Sequence, residues 1–326
     1  MRVRAVRAIV PLFALVFSLA VSPAGAAGGA RLALTLLDQA KLVILADTGA
    51  LAGEFPTGPG PRGIAEQGGR LFVANRGLES DAGSTVSIID PRVNPASREV
   101  KLCERCAPRA LAFDRRGTLW MSAQAHQALY RIDPPYEQPS ASVVVAWGWP
   151  TEIDVLPEAD LVAVGFRGAP VMAFVDAIKM SASRVETGPV PETVAVRPGS
   201  GEVWAALNPS AQLVIVRGGK AERIAGPRYP LDIGFTPDGS RALVTSGGEP
   251  GLVLIDAATR KEVARVALGS MPRELAVSPD GSRVAVALPE AKKVAIVRLG
   301  ERPAVEREVA VGGTVGGMIW IPDRQR

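Results

Sequence analysis

From about residue 30 onward the chain is written in short runs of alternating apolar and polar residues, bounded by Gly, Pro, Asp or Ser. Successive side chains on a strand point to opposite faces, so this alternation predicts β-strands and no helix. After Pro230 the runs "LDIGFT", "RALVTS", "LVLID" and "EVARVAL" are separated by "PDGS", "GGEPG" and "AATRK", which reads as four antiparallel strands. In the Pro-Asp-Gly turn Pro fixes φ, Asp accepts a hydrogen bond from the backbone that follows, and Gly tolerates positive φ.

The same pattern recurs. "PRELAVSPDGSRVAVA" (Pro272 to Ala287) repeats "PLDIGFTPDGSRALVT" (Pro230 to Thr245), and related openings stand at Pro61, Pro108, Pro150 and Pro191. A degenerate seventh opens at Val315 ("VGGMIW"), where "IPD" (Ile321 to Asp323) echoes the "SPD" of the previous copy. Successive starts are 47, 42, 41, 39, 42 and 43 residues apart. A third strand in each unit ends at Asp90, Asp133, Asp176, Arg217, Asp256 or Arg298, which lie 29, 25, 26, 26, 26 and 26 residues after their prolines. A period near 40 made only of short strands is the mark of a propeller blade.

The last unit stops after one strand. "RLALTLL" (Arg31 to Leu37), "KLVILAD" (Lys41 to Asp47) and "ALAGEFPTG" (Ala50 to Gly58) supply the missing strands two, three and four. The expected fold is therefore all-β: a seven-bladed β-propeller of four-stranded antiparallel blades, its ring closed by a composite N-/C-terminal blade. Closure of that kind removes free sheet edges.

The pattern P-x-x-[IVL]-A-V-[ST]-P-D-G-S-R, then a strand ending "VAN" (Val73 to Asn75), then [VI]-[IV]-D, resembles the YVTN-repeat seven-bladed β-propellers. These are similar in turn to the propellers of quinoprotein amine dehydrogenases, including the methylamine dehydrogenase heavy chain. The resemblance spans nearly all of the chain after the leader. It implies architecture and says little of function, because one fold hosts many activities.

Residues 1–26 are set apart. Arg2, Arg4 and Arg7 precede the apolar run Ala8 to Val21 and an Ala24-Gly25-Ala26 cleavage pattern, as in a secretory signal peptide. The mature chain, 27–326, is then expected to be one domain, periplasmic or secreted, with no stable membrane insertion. The full sequence has 37 Lys and Arg against 33 Asp and Glu; removing the three leader arginines leaves 34 against 33. A nearly neutral chain without polybasic runs gives no reason to expect a nucleic acid partner.

In this strand order the loops entering each inner strand and those joining strands two and three share one face. That face collects Arg76, His126, Trp147, Trp149 and Arg167 as candidate binding residues, with Cys103 and Cys106 beside them. The two positions after each opening proline should ring the mouth of the central channel. They bring Arg62, Arg109 and Arg273 together with Glu152, Glu192, Asp232 and Glu274 as a second candidate set.

For Cys103-Glu-Arg-Cys106 a disulfide is the preferred reading. A redox CxxC would want a helix start, a zinc site a second ligand pair, and haem attachment a His where Ala107 stands. His126 is the single histidine, so no Ser-His-Asp set is built around it, and no phosphate-loop or dinucleotide fingerprint occurs; "GGTVGG" (Gly312 to Gly317) opens no helix. The sequence thus favours a non-catalytic exported propeller that binds a protein partner or small ligand through its loop face, without a cofactor. Two alternatives stand beside it. One is a scaffold subunit of a quinoprotein-type dehydrogenase, as the resemblance allows. The other is a lactonase-type hydrolase with calcium on Glu152, Asp232 and Glu274, completed by Asn75 or Asn208.

Overall fold

The computed structural model describes residues 30–321. The leader expected at 1–26, and Pro322 and Asp323 of the terminal echo, lie outside the described residues. Seven four-stranded antiparallel sheets make up the described chain, six of them running in sequence order from an inner to an outer strand and the seventh joining the two ends of the described chain. The blade read from Pro230 has strands at Pro230–Phe235, Arg241–Ser246, Gly251–Asp256 and Lys261–Ala267, as its alternation predicts. The composite blade pairs the inner strand Val315–Ile321 with Arg31–Leu36, followed by Lys41–Leu45 and Leu51–Pro56. Its register runs from Arg31 opposite Ile321 to Leu36 opposite Val315.

The core is not one mass but seven layers, one between each pair of neighbouring blades. Val73 and Ile89 of the first blade meet Ala33 and Ile44 of the composite blade, for example, and Trp204 of the fourth packs with Val244 and Val253 of the fifth. The two middle strands of each blade are therefore apolar on both faces, as in Arg241–Ser246, while outer strands such as Lys220–Ala225 stay solvated.

Around the axis the blades approach closely. The hydroxyls of Thr35, Ser122, Thr151, Thr193 and Thr245 donate to backbone carbonyls of the next blade at Arg62, Thr151, Glu192, Leu231 and Arg273, at 2.5 to 3.2 Å. A side chain on Gly317 would bring its Cβ within 2.5 Å of the Arg62 carbonyl and one on Gly316 closer still to the Pro61 carbonyl, so these two glycines of the last strand serve blade contact. In the Pro-Asp-Gly turns Gly239 and Gly281 have φ of 66° and 69°, and Asp238 and Asp280 accept the amides of Ser240 and Ser282.

Candidate functional site

A β-bulge sets up the channel wall. In five blades the ladder shifts just after the opening proline, between Pro61 and Ile64, Pro108 and Leu111, Pro150 and Ile153, Pro191 and Thr193, and Pro230 and Ile233. A bulge breaks alternation and re-aims side chains, so positions that would face opposite ways can both reach the axis. They line a cavity of about 700 Å³. Arg62, Arg109, Glu152, Glu192, Asp232, Arg273 and Glu274 all border it. Two doublet members do not: Ala110 and Thr151 are buried between blades, Thr151 as a hydroxyl clamp.

Charge is divided across this cavity. Neither the Arg62 nor the Arg109 guanidinium has a hydrogen-bond or ion-pair partner among the described residues, and Arg109 Nε is buried without one. Burial, with Arg109 nearby, lowers the Arg62 pKa to about 10. Asp232 is pushed up to about 8, chiefly by burial and further by Glu274 and Glu152. Burial also raises Glu152 and Glu274, against the pull of neighbouring arginines.

Asp232 is fixed by the amides of Ile233 and Leu275, both at 2.8 Å, so it ties its blade to the next. Glu274 differs, because its Oε2 is buried with no partner. The cavity thus presents an unsatisfied donor on Arg109 and an unsatisfied acceptor on Glu274. Buried polar atoms in native proteins are rarely left so.

Asp154 also lines the channel, although it lies outside the doublets that follow the prolines. Burial raises its pKa to about 6, while it accepts the amides of Val155 and Val196. Alternation gave no signal for it, because the ladder shifts between Pro150 and Ile153 and Glu152 lies within that shift. Among the described residues no three His, Cys, Asp or Glu side chains gather closely enough to hold a metal. Of the two amides considered as ligands, Asn208 borders the channel. Asn75 lies instead inside the first blade, donating to Thr85 at 2.8 Å and Ser87 at 2.9 Å.

The loop face divides. Arg76, Trp149 and Arg167 meet at a groove of about 300 Å³, with Arg167 bordering both groove and channel. Trp147 is not available there: it is half-buried between the second and third blades, edge-on to Phe166 and over Arg184. It sits in a turn, its amide donating to Val145, so it does not share the face of Trp149. His126 borders neither cavity, and its Nδ1 lies 2.8 Å from the Tyr130 hydroxyl. Cys103 and Cys106 form a disulfide, with Cα atoms 5.9 Å apart. Its loop ties into the neighbouring loops through Arg105 N to Ser84 Oγ and Ala125 N to the Cys106 carbonyl.

The chain matches no family model and no curated protein. Solved structures do resemble it. Hydrazine synthase of Kuenenia stuttgartiensis superposes with a TM-score of 0.63 at 21% identity, over 75% of this chain and 78% of that one. The periplasmic gluconolactonase of Pseudomonas aeruginosa gives 0.72 at 15% identity, over 90% and 99%. Virginiamycin B lyase from Staphylococcus aureus gives 0.67 at 12%, over 77% and 84%. At these identities what is shared is the propeller fold.

Proposed function

We propose that the chain binds a small organic anion in its central channel. The observation that carries this is the pair of guanidinium groups, Arg62 and Arg109, that border a 700 Å³ cavity without a hydrogen-bond or ion-pair partner among the described residues, while Glu152 and Glu274 attract them only from a distance. Two adjacent unpaired cations repel each other; a carboxylate or phosphate between them removes that cost and fits their planar forks. The channel is favoured over the loop face, since the half-buried Trp147 weakens a protein-docking reading. Thermal melting in the presence of acetate, succinate and phosphate tests it. The wild-type chain should melt higher with at least one of them, and Arg109→Gln should lose that shift. An equal shift in the variant contradicts the proposal.

A second reading is an enzyme, in line with neighbours named as a lactonase and a lyase. It is supported by Glu274, which combines a raised pKa with an unpartnered oxygen. In hydrolysis of a cyclic ester, water would attack the carbonyl carbon, Glu274 would take the proton of that water and pass it to the ring oxygen as the ring C–O bond breaks, and Arg62 and Arg109 would stabilise the oxyanion formed between. A panel of lactones, assayed with and without added calcium, should show turnover that falls about a hundredfold or more in Glu274→Gln. Turnover unaffected by the substitution removes Glu274 from the chemistry.

The expected leader would carry this channel out of the cytoplasm, and cell fractionation tests that. The YVTN likeness and the quinoprotein-subunit alternative add one expectation, a stoichiometric polypeptide partner, which native mass spectrometry of the gently purified protein would detect.

A further inference from the structure

We propose that the loop-face groove and the channel are two halves of one site, and that its ligand is an anion carrying a flat aryl group. The inference rests on the anion-binding reading above and names the class of ligand. Arg167 borders both cavities, so they adjoin at one side chain. Its Nε and Nη2 face Glu192 at 3.2 and 3.3 Å, which fixes the guanidinium at the junction.

Trp149 stands directly across the strand pair from Arg167. One edge of its six-membered ring, Cε3 and Cζ3, lies beside Gly168, where a Cβ would come within 3.3 Å of it, so the indole rests against the backbone of that turn. The tryptophan nevertheless remains 51% exposed, and Leu78, on the same groove, is 58% exposed. An indole that is supported by backbone and still open to solvent is a ready stacking surface for an aryl ring. Two apolar side chains held open beside arginines suit a ligand that is flat and apolar at one end and charged at the other.

Charge supports the same orientation. Arg76 borders the groove, donates from Nε to Gln124 at 3.0 Å and has no ion pair among the described residues. Arg109 and Arg167 both act on it electrostatically; Glu79 on the groove and Glu192 on Arg167 offset part of this charge, which leaves Arg76 and Arg109 as the cations without an ion pair between groove and channel. The acidic group then belongs toward Arg109, and the aryl group on Trp149.

Isothermal titration with two matched pairs tests this: phosphate against phenyl phosphate, and acetate against phenylacetate. For the pair that binds, the aryl member should bind about tenfold more tightly to the wild-type chain, from aromatic stacking. That ratio should fall to near one in Trp149→Ala and return in Trp149→Phe. An aryl preference of the same size in Trp149→Ala, or none in the wild type, overturns the two-part site while leaving the anion reading in place. Failure of all four compounds to bind the wild-type chain overturns both.

Discussion

Truncation before the last strand, by ending the chain at Gly312, is expected to abolish cooperative folding. The strand lost, Val315–Ile321, is the inner strand of the composite blade and the only element joining the two ends of the described chain through a sheet. Its removal bares the inner edge of Arg31–Leu36 along its full register. It also takes away Trp320, 5% exposed in the layer against the sixth blade, whose indole donates to the Ala276 carbonyl at 2.9 Å. Loss of one buried Trp costs about 3–5 kcal/mol, and a domain's whole stability is about 5–15 kcal/mol. Two inter-blade layers open together, so the deficit exceeds what the remaining blades supply. Denaturant unfolding followed by fluorescence and circular dichroism should show no shared transition in the truncated chain. A circular permutant that links residue 321 to residue 30 and opens at the exposed Gly218-Gly219 turn should keep one. A truncated chain that unfolds with the wild-type midpoint contradicts ring closure by this strand.

Stability is expected to fall as pH rises from about 5 to about 8.5, opposite to the trend set by surface carboxylates. Asp232 titrates at about 8 and Asp154 at about 6, each against an ordinary value of 3.8. A carboxyl whose pKa is raised on folding binds its proton more tightly in the folded state. Its contribution is complete below 3.8 and is lost as pH climbs through 6 for Asp154 and 8 for Asp232. A tenfold change in proton affinity corresponds to about 1.4 kcal/mol, and the partial exposure of both carboxyls to solvent screens part of it, so a loss of about 2 kcal/mol is expected over this range. The paired surface acids, such as Asp280 at about 2, act lower on the scale and set the loss of stability in acid. Because Glu274 helps raise Asp232, Glu274→Gln should flatten the fall. Urea midpoints at several pH values read the slope directly. A flat or rising profile in the wild type, or an unchanged slope in the variant, contradicts the picture of a low-dielectric acidic wall.

Blade number, strand positions and composite closure were legible because alternation and turn chemistry act locally, and the Pro-to-Asp spacing preserves both. The channel residues were legible for the same reason: the doublet after each proline holds its place in the repeat. What alternation could not tell was which doublet members turn inward. The bulge at that point leaves Glu152 in the channel and takes Thr151 into a blade contact. Trp147 and Trp149 illustrate the limit on the loop face. Both were placed by their position in the segment that enters an inner strand, but the strand begins at Trp149, after the turn that holds Trp147, so the two point differently. The absence of partners for Arg62 and Arg109 is a property of three-dimensional neighbourhood and had no local signal.

The measurement that bears most directly on the channel as an anion site is diffraction from crystals soaked in selenate, a tetrahedral oxyanion with an anomalous signal. An anomalous peak is expected in the channel, with oxygens in hydrogen-bond reach of Arg62 and Arg109, and it should be lost in Arg109→Gln. Selenate peaks confined to the outer surface, with the channel arginines bridged only by water, would contradict the anion site.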